Sequence, residues 1–114
     1  MSAITTHVLD TSRGRPARGV PVELEIRVAD GGWRRIGRGA TDGDGSLGTL
    51  MPEGEPLVAG VYRLLFDVHH YFAESGTHSF YPRVTVEFSV AGEGSHYHVP
   101  LLISPFGYTT YRGS

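Results

Sequence analysis

Five apolar residues at alternate positions, Val20, Val22, Leu24, Ile26 and Val28, interleave with Pro21, Glu23, Glu25 and Arg27. A period of two sends the first set to one side of an extended chain and the second set to the other, which makes a strand with one face on a core and one in water. The pattern returns from Tyr81 to Val90, where Val84, Val86, Phe88 and Val90 alternate with Arg83, Thr85, Glu87 and Ser89. Ile4 to Leu9, Trp33 to Ala40, Gly60 to Val68, Ser95 to Ile103 and Gly107 to Tyr111 read as further strands, and Leu47 to Leu50 is a candidate short one.

Sixteen glycines and seven prolines divide the chain at the places where such strands must turn. Asp30-Gly31-Gly32, Gly43-Asp44-Gly45 and Gly92-Glu93-Gly94 offer backbone with positive φ, and Ser104-Pro105-Phe106-Gly107 closes a final hairpin. One stretch breaks the period: Val68, Tyr71 and Phe72 recur at helical spacing within Asp67 to Ser75, so one short helix is expected there, with Gly76 as its stop. The sum is an all-β, antiparallel β-sandwich of seven to eight strands with one short helix. At 114 residues, the chain is expected to form a single domain over residues 1–114.

Ten basic residues, all arginine, against twelve acidic ones leave a net charge of −2, which gives no electrostatic case for nucleic acid or an anionic membrane as partner. A small molecule is the expected partner. Cysteine is absent, so disulfides, thiolate catalysis and cysteine-bound zinc are excluded. No apolar stretch approaches a membrane span, and no basic segment followed by an apolar run opens the chain; the expected compartment is the cytoplasm.

The residues able to carry chemistry are histidines. His7 lies in the first strand with Thr5 and Leu9 on its face and Ile4, Thr6, Val8 and Asp10 on the other, a pattern that does not decide which side is buried. His96 and His98, two apart, share a face. Such a pair has a zinc reading that needs a third ligand from His7, His69, His70, His78 or a carboxylate, and a proton-transfer reading that needs none. His69 and His70 diverge on a helix and read, like His78, as surface residues. No Gly-x-Ser-x-Gly elbow is present, so in a hydrolase built on these residues the nucleophile is water. Ser114 brings a hydroxyl and an α-carboxylate together at the end of the last strand, able to orient a histidine or to bind an N–H-rich ring.

Three segments carry a resemblance: Thr6-His7-Val8-Leu9-Asp10 followed by Gly14, Arg15, Pro16 and Ala17; Phe80-Tyr81-Pro82-Arg83-Val84; and His96 through to Tyr111-Arg112-Gly113-Ser114. Together they resemble the transthyretin-like 5-hydroxyisourate hydrolases along essentially the whole chain. The Tyr-Arg-Gly-Ser ending separates these hydrolases from the hormone carrier transthyretin, which shares their fold. The resemblance implies a homotetrameric, transthyretin-like β-sandwich with active sites where dimers meet. It implies hydrolysis of 5-hydroxyisourate to 2-oxo-4-hydroxy-4-carboxy-5-ureidoimidazoline in urate degradation, with no metal and no organic cofactor. By position His7 and His98 take the places of the family's catalytic histidines, with Ser114 beside them, and Ser46, Tyr111 and Arg112 take substrate-binding places.

One position departs from the family. The turn reads Gly43-Asp44-Gly45-Ser46, where the family carries a substrate-contacting arginine directly after Asp-Gly. Serine keeps a hydroxyl but lacks the charge and the planar fork of donors. Arg38, Arg35 and Arg112 are the candidates to restore that charge. The alternative to an active hydrolase is a catalytically weakened binding module for a small ring ligand or a protein.

Overall fold

The computed structural model describes residues 3–92 and 94–114, which leaves the middle residue of the expected Gly92-Glu93-Gly94 turn outside the described residues. Among the described residues nine strands and one helix follow in order: β1 (Ile4–Asp10), β2 (Arg15–Pro16), β3 (Pro21–Arg27), β4 (Trp33–Ala40), β5 (Ser46–Leu47), β6 (Gly60–Phe66), α1 (Val68–Ala73), β7 (Val84–Val90), β8 (Tyr97–Ser104) and β9 (Gly107–Thr110). Seven of these strands are four residues or longer; β2 and β5, at two residues each, are too short to show a period in sequence. β7 begins three residues later than the alternation suggests, beyond Pro82, which has no N–H to give a ladder.

The strands form two sheets. One has the order β2-β1-β8-β9, with β5 also on β1, and the other has the order β4-β3-β6-β7. All neighbours are antiparallel except β1 and β8, which run parallel in unbroken register from Ile4↔Tyr97 to Asp10↔Ile103. Alternation along a strand carries no direction, so this one parallel pair is invisible to the sequence pattern. Its consequence is functional, because it sets the first strand beside the penultimate one and so joins the two ends of the chain.

The core lies between the sheets. Val22 and Leu24 from one sheet share this core with Ile4, Val8, Leu101 and Ile103 from the other, together with Val20, Tyr62, Phe66 and Phe72. Ile4, Thr6, Val8 and Asp10 are therefore the inward set of β1, and Thr5, His7 and Leu9 face out. α1 is capped by Asp67, whose side chain accepts the backbone N–H of His70, and it packs Val68, Tyr71 and Phe72 inward. His69, His70 and His78 are exposed, as expected of surface residues.

A buried carboxylate ties the helix to β1. Asp10 is fully buried, yet its oxygens accept from Tyr71 Oη at 2.8 Å, from the backbone N–H groups of Ser12 and Arg13, and from the Ser12 hydroxyl. Burial pushes the Asp10 carboxyl up, but these hydrogen bonds outweigh it and hold the group below its usual value. The same burial, with Asp10 as neighbour, pushes the Tyr71 phenol up to about 12. This pair is structural: it locks α1 against the turn after β1.

Candidate active site

The outward face of the first sheet carries the candidate site. In the β1·β8 pair Thr5 stands opposite His98 and His7 opposite Pro100, and in the β1·β5 pair His7 stands opposite Ser46. Cross-strand partners share a face, so His7, Thr5, His98 and Ser46 all project from one side of this sheet. A cleft of about 350 Å³ opens there, lined by Thr5, Ser46, His96, His98 and Ser114 among others. His98, Ser46 and Ser114 border this cleft; His7 is not among its lining residues but stands opposite Ser46 and near enough to His98 to act on its charge.

Each histidine is held. His7 Nε2 lies 2.7 Å from the carbonyl oxygen of Asp44. A carbonyl only accepts, so Nε2 carries the hydrogen and Nδ1 is the ring atom left to exchange a proton. His98 Nδ1 lies 2.8 Å from Thr5 Oγ1, and His96 Nε2 lies 3.1 Å from the same oxygen. His98 is half-buried, and burial, followed by the nearby His96 and His7, pushes its pKa below the ordinary histidine value. A neutral imidazole is therefore favoured at His98, as proton acceptance near neutrality requires.

The backbone around the histidines is specific. Gly45 has φ of +77°, and a Cβ there would sit 2.3 Å from the Val8 carbonyl, so only glycine allows the Asp42–Ser46 turn to lie against β1. Asp42 organises that turn, accepting the N–H groups of Asp44 and Ser46 through Oδ1. At the other end of the site Gly113 bridges to His98, donating its N–H to the His98 carbonyl at 2.8 Å. A Cβ on Gly113 would stand 2.6 Å from His98 Cδ2, so this glycine lets the last residues pass directly over the imidazole.

Other candidates lie elsewhere. Arg112 stacks its guanidinium 4.5 Å from the Tyr97 ring centroid and, with Tyr111, lines a separate apolar cleft of about 210 Å³ beside Val86 and Phe88. Neither lines the histidine cleft of the same chain, although the Arg112 guanidinium donates to the carbonyl of His96 at 3.5 Å. Arg38 and Arg35 sit on β4, opposite Glu23 and Glu25 on the outer face of the other sheet, and Arg35 pairs with Glu23 at 3.7 Å. Among the described residues no set of three or more histidines and carboxylates is grouped as a metal would need. Two positioning residues escaped the sequence reading, Thr5 and Gly113; Thr5 was visible only as a polar residue on the His7 face.

Comparison with known proteins bears on the family and the fold. The family model described as HIUase/Transthyretin family matches residues 4–113. A 5-hydroxyisourate hydrolase of Salmonella dublin is 43% identical over 111 residues, covering 97% of this chain and 80% of the relative. Sea bream transthyretin, solved in complex with thyroxine, superposes with a TM-score of 0.91 at 38% identity, over 97% of this chain and 94% of that one. The structure of Klebsiella pneumoniae 5-hydroxyisourate hydrolase superposes with a TM-score of 0.84 at 36% identity, over 100% of this chain and 94% of that one. From strand order to terminal bridge, the chain belongs to the HIUase/Transthyretin family.

Proposed function

We propose that this protein hydrolyses the cyclic amide of 5-hydroxyisourate to 2-oxo-4-hydroxy-4-carboxy-5-ureidoimidazoline, in urate degradation, with water as nucleophile. One observation carries the reading: the parallel β1·β8 pair sets His7 and His98 on one face of one sheet, each with a ring nitrogen already committed to a fixed partner. His98, favoured in its neutral form, takes a proton from the attacking water through Nε2. His7, tied through Nε2–H to Asp44, returns a proton through Nδ1 to the departing ring nitrogen. Ser114 and Ser46 border the cleft and supply hydroxyls to the ring oxygens. No metal or organic cofactor takes part in these steps.

The active assembly is a homotetramer in the cytoplasm, its active sites where dimers meet. Phe80, Phe106, Tyr108 and Tyr111 are exposed aromatics on a small sandwich, surface that association would bury. Tyr111 and Arg112 then act on substrate from a neighbouring subunit. No helix among the described residues is long and apolar enough to cross a membrane.

A binding module for a small ring is the second reading, favoured by one observation: the residue opposite His7 is Ser46, which offers no positive charge to an anionic ring. The likeness to a thyroxine-bound carrier is compatible with both readings, since a fold does not fix an activity. Generating 5-hydroxyisourate in situ with urate oxidase and following its absorbance separates them. Faster decay with the protein supports the hydrolase, and decay at the uncatalysed rate with saturable binding supports the module.

A further inference from the structure

The hydroxyl of Thr5 stands between two imidazoles. Thr5 Oγ1 is 2.8 Å from His98 Nδ1 and 3.1 Å from His96 Nε2, and the two rings have centroids 6.4 Å apart, tilted by 30°. A threonine hydroxyl has one proton to donate. If both rings donated to it, that proton would have neither ring as acceptor, in a residue only 7% exposed, which costs the desolvation of an unmade bond. One ring therefore accepts from Thr5 and the other donates to it. The choice at one ring fixes the choice at the other.

Two arrangements follow. In the first, His98 Nδ1–H donates to Thr5, Thr5 donates to His96 Nε2, and His98 Nε2 is a free base. In the second, His96 Nε2–H donates to Thr5, Thr5 donates to His98 Nδ1, and His98 Nε2 carries the hydrogen. The two differ by shifting two protons along one line while His98 Nε2 gains a proton and His96 Nδ1 gives one up. Both imidazoles border the cleft, but His98 is half-buried and His96 is exposed, so the line runs from the less to the more solvent-accessible ring.

We propose that Thr5 and His96 are positioning residues that form a proton relay from His98 to solvent, an inference that rests on the hydrolase reading of this site. As the water O–H bond breaks and its oxygen bonds to the ring carbonyl carbon, His98 Nε2 takes the proton. His98 Nδ1–H then passes to Thr5 Oγ1, and the Thr5 proton passes to His96 Nε2. His96 becomes an imidazolium and releases its Nδ1 proton to bulk water. No oxidant or further reactant enters, and His98 remains neutral throughout, in keeping with its partly buried place between His96 and His7, the titratable groups that act on it. Had the proton stayed on His98, a cation would rest beside two other imidazoles.

The test uses the full chain and two substitutions. Thr5→Val keeps the branched shape and deletes the hydroxyl; it is expected to lower kcat by about 10- to 100-fold with KM within about twofold, and Thr5→Ser to restore kcat to within about threefold. His96→Gln keeps hydrogen-bonding groups but cannot titrate; it is expected to lower kcat roughly tenfold in dilute buffer, with recovery on adding free imidazole. In two-bond proton–nitrogen spectra, the ring nitrogens of His96 and His98 should titrate together in the native protein and separately in Thr5→Val. Identical ring-nitrogen shifts for His98 with and without the Thr5 hydroxyl would overturn the relay. So would kcat unchanged in both Thr5→Val and His96→Gln, or a Thr5→Val loss that Thr5→Ser does not repair. A native protein that fails to accelerate hydrolysis refutes the hydrolase reading by itself, while the spectra still decide whether Thr5 couples the two rings.

Discussion

His7 and Ser46 are cross-strand partners in the two-residue ladder between β1 and β5, so any side chain at position 46 stands directly beside the His7 imidazole. The sequence resemblance implies an arginine at this place, where this chain has a hydroxyl. Of the candidate arginines in the same chain, Arg35 and Arg38 occupy the outer face of the opposite sheet, and Arg112 lies over Tyr97 and donates to the His96 carbonyl at 3.5 Å. Ser46→Arg is therefore expected to raise kcat/KM by about one to two orders of magnitude, the worth of one charge-assisted hydrogen bond. Unchanged or reduced kcat/KM in steady-state assays would show that charge is not used at this end of the cleft.

Gly113 predicts a second effect on the site. Its φ is not in the left-handed region, so alanine is conformationally permitted there, yet the added methyl meets His98 Cδ2 at 2.6 Å. Gly113→Ala should displace the imidazole and lower kcat by roughly tenfold or more, as a misplaced general base does, while Tm moves by only a few degrees. Full activity in Gly113→Ala would mean that His98 has freedom the packing does not suggest.

The pH profile follows from the lowered pKa of His98. A base must be unprotonated, so activity should fall as pH drops through the pKa of His98, which lies below the ordinary 6.5. The acidic limb of kcat/KM is expected to have its midpoint below 6.5, and activity is expected to fall again at higher pH, as His7 loses the Nδ1 proton it donates. A midpoint at or above 6.5 would place the essential proton on another group.

Asp10 and Tyr71 govern acid stability rather than chemistry. The Asp10 carboxyl titrates below its ordinary value of 3.8 in the folded protein, so its contribution is fully present above that value and is lost as pH falls through the folded pKa. Tyr71→Phe removes one hydrogen bond to a buried carboxylate and should cost about 1.5–3 kcal/mol at neutral pH, by urea unfolding. The difference between Tyr71→Phe and the native chain should shrink below pH 4; a constant difference would show that the phenol stabilises by packing alone.

Much of this was legible in the sequence because the relevant signals are local. Val20 to Val28 alternates with no interruption, so β3 and its buried face follow directly, and Val68, Tyr71 and Phe72 mark α1 by spacing. What stayed hidden is non-local. Nothing in Ile4 to Asp10 or Tyr97 to Ser104 says that these strands lie side by side and parallel, yet that pairing creates the site. His7 could not be assigned a side because Thr5, Thr6 and Asp10 blur the polarity of β1; buried hydroxyls and a buried carboxylate are paid for by partners more than 60 residues away, such as Tyr71 and Val99. Thr5 was silent for the same reason, since its significance lies in two imidazoles more than 90 residues distant.

The proposed tetramer makes a hydrodynamic prediction. With Phe80, Phe106, Tyr108 and Tyr111 exposed on the single chain, sedimentation at micromolar concentration should report roughly four times the mass of the 12.4 kDa chain. A monomer under those conditions would remove the subunit contacts through which Tyr111 and Arg112 are proposed to act.

The proposed hydrolysis of 5-hydroxyisourate rests on His7 and His98, joined by the parallel pair of first and penultimate strands. The most direct measurement follows 5-hydroxyisourate, released in situ by urate oxidase, in the presence of native protein, His7→Ala and His98→Ala. Clear acceleration by the native chain is expected, with a loss of about 10²- to 10⁴-fold in turnover for each variant and folding retained, as for removal of a general acid or base. No acceleration by the native chain, or a loss of tenfold or less in both variants, would contradict it.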